Sequence, residues 1–322
     1  MREDSLMPDT TPYVRPDVKA VLDALVAIGG PEMSDIPLAD ARAAYLAMGA
    51  MLEADALPLA VIKDLACPGP DGDIPLRLYD ARETRAAGPV IMFYHGGGFV
   101  IGDLDTHHAL CTEIATAMDL PVVAVHYRLA PEAPYPAAAD DCEAATRWVA
   151  ESPADLGLTV TGLITIGDSA GGHLAIVVPQ ALATKAAAVP VIMQVPIYPA
   201  TDESSDGSMQ EFAEGFVLTK KTMDWFMDCY APVAGEARAY PIHGDHTAAP
   251  PTVLATAGLD PLRDQGRRYA AALIQAGVEC HYMEMKGIVH GFVNLRKAVP
   301  SAQADTHTIF KAMKLMLERI SA

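Results

Sequence analysis

Ser169 stands in the stretch Ile164-Thr-Ile-Gly-Asp-Ser-Ala-Gly-Gly-His173, where a short apolar run meets a Gly-x-Ser-x-Gly turn. A serine hydroxyl is a weak nucleophile until a tight strand-to-helix turn lifts it toward a base. Gly167 and Gly171 keep such a turn free of side chains on either side of the serine. A helix beginning there would aim its N-terminal amides at negative charge forming beside Ser169. The chemistry implied is attack on an acyl carbon. The run Val90-Ile-Met-Phe-Tyr-His-Gly-Gly-Gly-Phe99 supplies a second requirement, because it reads as a buried strand ending in three glycines. Bare backbone N–H groups at such a strand end can hold the oxyanion of a tetrahedral intermediate. A phosphate-cradling loop would carry Lys or Ser/Thr after the glycines, and here Phe99-Val100-Ile101 follow.

A nucleophile needs a base, and the base an orienting acid. Thr252–Ala257 reads as a strand followed by a loop with Asp260, and Glu279–Met285 as a strand followed by a loop with His290. Asp264 is a weaker choice of acid, since it falls in the first turn of the next helix and serves its dipole. His281 is a weaker choice of base because it lies mid-strand. The order Ser169, Asp260, His290, each just past a strand's carboxyl end, matches the α/β-hydrolase arrangement.

These pieces resemble the bacterial esterases of the hormone-sensitive lipase family (family IV), within the α/β-hydrolase fold. The matching residues are His95-Gly-Gly-Gly-Phe99, Tyr127-Arg-Leu-Ala-Pro-Glu132, Gly167-Asp-Ser-Ala-Gly-Gly172, Asp260-Pro-Leu-Arg-Asp264 and His290-Gly-Phe292. The resemblance implies a serine carboxylesterase acting on short and medium acyl esters through an acyl-enzyme. It implies oxyanion donors at the amides of Gly97, Gly98 and Ala170, and a loop-organising role for His95. It also places Phe99, Phe216 and Leu218 in the substrate pocket. Ala133 departs from the histidine that many members carry after the Tyr-Arg-Leu-Ala-Pro-Glu run. An amidase, lactonase or acyltransferase would share the same machinery, and a small-molecule receptor on a hydrolase scaffold is the alternative without catalysis. His290 in its Gly-Phe context weighs against the receptor.

The elements that must hold these residues alternate along the chain. Strands are expected at Ile74–Tyr79, Val90–Tyr94, Val122–His126, Leu163–Ile166 and Val191–Val195 besides the two already named. Helices separate most of them, near 106–118, 138–151, 170–184, 262–276 and 303–320. Such alternation predicts a mostly parallel sheet flanked by helices, with ligands beyond the carboxyl ends of the strands. Ahead of it, Val18, Leu22, Leu25 and Ile28 repeat at helical spacing, and a second helix spans about Leu38 to Ala54. In the family such N-terminal helices form part of a cap. The expected division is therefore a cap over 1–55 and a catalytic domain over 56–322, with a cap insertion at about 201–235. That insertion carries Phe212, Phe216, Leu218, Met223, Trp225, Phe226 and Met227.

Of the 322 residues 23 are basic and 41 acidic, a net charge of −18 that argues against nucleic acid and anionic membrane surfaces as partners. Five scattered cysteines without a C-x-x-C pair suggest reduced thiols. The start, Met1-Arg-Glu-Asp-Ser, leads into no signal-peptide core, so a cytoplasmic enzyme is expected. His243-Gly-Asp-His246 has donors at close spacing but reads as loop, and neither metal nor cofactor is expected. Arg128 and Glu132 read as an ion pair bracing a turn. The expected partner is a small-molecule ester, with a homodimer left open.

Overall fold

A computed structural model describes residues 11–320, so the first ten residues of the expected 1–55 cap lie outside it, as does the Met1–Ser5 start. Two helices come first, α1 (Pro16–Ile28) and α2 (Leu38–Leu52). Pro16 suits the first turn of α1, whose N–H groups have no helical partner, and Gly29 at φ 63° ends it. Strands β1 (Val61–Gly69) and β2 (Gly72–Asp80) then form an antiparallel hairpin. Alternation follows: β3 (Gly88–Tyr94), α3 (His108–Met118), β4 (Val122–Val125), α4 (Ala137–Ala150), β5 (Val160–Asp168), α5 (Ala170–Thr184) and β6 (Val191–Ile197). Short α6 (Ser208–Glu211) and α7 (Lys220–Tyr230) interrupt it. The chain closes with β7 (Thr252–Leu259), α8 (Arg263–Gln275), β8 (Cys280–Val289) and α9 (Pro300–Ile320).

The eight strands make one sheet in the order β1-β2-β4-β3-β5-β6-β7-β8. From β4 to β8 every pairing is parallel, and β2 pairs antiparallel with both β1 and β4. This is the α/β-hydrolase fold. Strand β1 escapes a sequence reading because it is an edge strand: of its side chains only Cys67 is buried, and the consecutive Lys63 and Asp64 break the apolar alternation.

Two large apolar cores cover the two faces, and a smaller cluster gathers around Leu254 and Tyr269. Along β3, Ile91 and Phe93 join α3 and α9 on one side, while Val90, Met92 and Tyr94 join α4 and α5 on the other. The period of two along the strand sends alternate side chains to opposite faces, and helices cover both. No helix among the described residues is long and apolar enough to cross a membrane.

Candidate active site

Ser169 sits at the junction of β5 and α5 with φ 55° and ψ −117°, a strained conformation for a residue with a side chain. The neighbouring glycines are obligatory by contact. A Cβ on Gly167 would run into the backbone of Gly171, and one on Gly171 into the carbonyl of Tyr94. Close packing of turn, helix and strand leaves Ser169 pointing away from the backbone.

His290, just past β8, brings its Nε2 to 2.9 Å from Ser169 Oγ. Its Nδ1 lies 2.7 Å from Asp260 Oδ2, and Asp260 is wholly buried just past β7. The other Asp260 oxygen accepts the Leu262 N–H at 2.8 Å, so the carboxylate is fixed from two sides. Ser169, His290 and Asp260 thus form one hydrogen-bonded chain. Asp264 stands apart: it takes the Ser208 N–H at 2.9 Å and pairs with Arg263 and Arg267. His281 lies within β8.

Opposite Ser169, the chain turns after β3 with Gly97 at φ 116° and Gly98 at φ 61°. Val100 and Ile101 donate to Gly97 O, both at 3.0 Å, which closes the turn. No acceptor among the described residues takes the Gly97 or Gly98 N–H. These glycines and Ala170, the first residue of α5, line the same cavity as Ser169.

His95 sits beneath this turn, stacked on Tyr127 at 4.2 Å, with Nδ1 2.8 Å from the Gly96 carbonyl. Burial, assisted by the neighbouring His107, pushes its pKa down to about 3, so the ring is neutral. Its ring meets the Gly96 carbonyl and the Tyr127 hydroxyl, and no hydrogen bond joins it to Ser169 among the described residues. Asp168 is the neighbour that sequence reasoning missed. Its Oδ1 accepts the Gly96 N–H at 2.9 Å and lies 3.1 Å from His107 Nε2, which in turn meets Asn294 at 2.8 Å. Burial opposes ionisation of Asp168, but His107, joined by His290 and His95, holds the carboxyl below the usual carboxylate value.

The cavity over Ser169 has a volume of about 320 Å³. Phe99 and Leu218 line it, as do Phe226 and Met227 of α7. Phe216 does not: it packs edge-on against Phe212 at 5.2 Å, beside the core, because Phe212 is fully buried and offers it an aromatic partner. Tyr45, Met48, Gly49 and Leu52 of α2 complete the wall, with Leu25 of α1. Their spacing of three and four residues was the available signal in the sequence.

Other expectations resolve differently. Arg128 and Glu132 do not pair: Arg128 holds Asp141 and Asp71, whereas Glu132 is taken by Arg42 of α2. Arg128 has Asp141 within reach on α4, and α2 brings a second arginine that local sequence could not reveal. His243 faces Glu203, and His246 turns to the Ile242 carbonyl. No group of three His, Cys, Asp or Glu side chains among the described residues is set to hold a metal ion. All five cysteines are free thiols.

Residues 91–294 match the family model described as the alpha/beta hydrolase fold. Esterase LipI of Mycobacterium tuberculosis is 40% identical over 268 residues, covering 80% of this chain and 82% of its own. Ethyl acetate hydrolase of Pseudomonas putida is 33% identical over 314 residues, covering 94% and 98%. An α/β-hydrolase enzyme from the metagenome of Lake Arreo, Spain, superposes with a TM-score of 0.87 at 36% identity, over 92% of this chain and 96% of that one. With that breadth of match behind the same sheet and the same elbow, the chain belongs to the α/β-hydrolase family, in its hormone-sensitive-lipase-like branch of carboxylic ester hydrolases.

Proposed function

We propose that this carboxylesterase cleaves esters of short and medium acyl groups with Ser169 as nucleophile, His290 as base and Asp260 as orienting acid. Ser169 Oγ attacks the ester carbonyl while His290 Nε2 takes its proton. The carbonyl oxygen becomes an oxyanion, received by the amides of Gly97, Gly98 and Ala170. As the intermediate collapses, the C–O bond to the alcohol breaks and His290 returns the proton to the departing oxygen. Water then repeats the sequence on the acyl-enzyme, releasing acid and Ser169. The observation behind this is the hydrogen-bonded chain of 2.9 and 2.7 Å from Ser169 through His290 to Asp260, at the floor of an apolar cavity.

Helices α1 and α2 and the 201–235 segment act as the cap, since all three supply walls to that cavity. Asp260 holds His290 in the tautomer that presents a bare Nε2 to serine. Phenylmethylsulfonyl fluoride should add one sulfonyl group to the wild-type protein by intact mass, on the peptide containing Ser169. Ser169→Ala should take up none and lose turnover of a soluble butyrate ester by several orders of magnitude. An adduct on the alanine variant, or on another serine, would overturn the assignment.

A further inference from the structure

Helix α2 touches both halves of the site, and at each end by a different charged residue. At its start, Arg42 donates from Nε to the Val100 carbonyl at 2.9 Å and from Nη2 to the Ala130 carbonyl at 3.1 Å. Its guanidinium also grips Glu132 with two bonds of 2.7 and 2.8 Å. Val100 belongs to the turn whose amides close on Gly97 O, so Arg42 holds the oxyanion loop directly. Just past the other end of α2, Glu53 holds Arg296, whose side chain is 0% exposed against 5% for Glu53. Arg296 is held on its far side by Glu113 of α3. The Leu52 carbonyl, the last of the helix, accepts from both Lys297 N and Ala298 N at 3.1 Å. This second grip falls on the segment that leaves His290 and contains Asn294, a cavity residue.

The two held segments follow β3 and β8, which are four strand spacings apart in the sheet order, about 19 Å at about 4.8 Å each. Between Arg42 and Glu53, α2 advances eleven residues, about 16 Å at about 1.5 Å per residue, and the long side chains at both grips cover the remainder. One helix therefore spans the distance between the segments that carry the oxyanion amides and the base. We propose that α2 is a strut that sets this distance, with Arg42 and Glu53 as positioning residues acting through Val100 and Arg296. This rests on the assignment of Gly97, Gly98 and His290 given above. Neither residue touches the reacting atoms. Catalytic groups must hold their mutual geometry closely for transition-state stabilisation, so loosening either end lowers the chemical rate more than substrate affinity.

The test compares Glu53→Gln, Arg42→Gln, Arg42→Lys and the double variant Glu53→Gln/Arg42→Gln with the wild type on a soluble acetate ester, whose acyl group is too short to reach along α2. Turnover is expressed per serine titrated by an active-site reagent, so that only folded sites are counted. Glu53→Gln should lower kcat at least fivefold with KM within twofold. Arg42→Gln should lower kcat severalfold, and Arg42→Lys, which keeps one charged donor, should recover part of it. Because a strut fails when either end is released, the double variant should be about as slow as the worse single one. Folded variants with kcat within twofold of wild type, a loss confined to KM, or a double variant slowed by the full product of the singles would each overturn the proposal. If Glu53→Gln does not fold, the two Arg42 variants at the more exposed end decide it by the same kcat and KM criteria. A wild type inactive on every ester would instead strike the proposed function.

Discussion

Two aspartates four residues apart, Asp260 and Asp264, have entirely different surroundings. Asp260 has no exposed surface and gives one oxygen to the Leu262 amide and the other to His290. Asp264 spends its oxygens on Arg263, Arg267 and the Ser208 amide. Asp260→Asn should therefore cut kcat by about 10³–10⁴, through the wrong tautomer and orientation of His290, while the protein stays folded. Asp264→Asn should leave kcat within about threefold and lower the thermal midpoint, since it ties α8 to α6 and loses charge-assisted bonds. Steady-state kinetics and thermal denaturation of the two variants check this, and the reverse order of damage would move the acid to Asp264. That Asp260 and not Asp264 meets His290 was legible in the sequence, because a residue just beyond a strand faces the carboxyl ends of its neighbours, whereas one in a helix's first turn faces its own amides. Asp168 was not legible in the same way. Nothing local tells that its carboxylate reaches across to Gly96 and His107, contacts made between segments more than sixty residues apart.

At the level of elements, the connection between α1 and α2 is joined to the start of α7. Glu32, between α1 and α2, accepts from Thr219 and Thr222 at 2.6 and 3.2 Å, and Lys221 pairs with Asp35 at 2.6 Å. Glu32, Thr219 and Thr222 line the cavity, as does Phe226, whose ring lies where a side chain on Gly98 would stand. From Phe226 back to Thr219, α7 runs about 10 Å at about 1.5 Å per residue. An acyl chain laid along α7 thus meets this clasp after a medium length. Each methylene buried before that point gains up to about 0.8 kcal/mol, and none is gained after it. Activity on a series of soluble esters should rise and then fall with acyl length, without activation by a lipid interface. The double variant Glu32→Ala/Asp35→Ala should shift the optimum to longer chains. An unchanged optimum would place the end of the pocket elsewhere. The alternating strands and helices were legible because buried parallel strands are short apolar runs bounded by glycine and proline. The edge strand β1 was not, since its side chains meet water. The pocket role expected of Phe216 failed because aromatic composition marks a cluster but does not say which ring faces the cavity and which the core.

For the molecule as a whole, the neutral His95 buried under the glycine turn makes stability depend on pH. Its folded pKa of about 3 lies below the ordinary histidine value of 6.5, so the unfolded chain binds a proton that the folded one refuses. Stability is full above about pH 6.5 and drains as pH falls toward 3, by up to about 1.4 kcal/mol per pH unit from this group. Denaturant midpoints measured from pH 7.5 to 4.5 should decline, and His95→Asn should flatten that decline while lowering the midpoint at pH 7.5. A wild-type midpoint that rises on acidification would contradict the buried neutral ring. The order of the strands carries a further consequence, for how the enzyme comes into being. Ser169 and the glycine turn follow neighbouring central strands, whereas His290 follows β8, an outermost strand whose one neighbour among the described residues is β7. Contacts so distant along the chain are the slow ones to form. During refolding from denaturant, helix signal in the far ultraviolet should therefore return before ester turnover, which waits for the final strand to dock and for α2 to close across it. Ester turnover then serves as a clock for the last stage of folding, and a nascent chain released before β8 would hold Ser169 without the His290 that bonds to it.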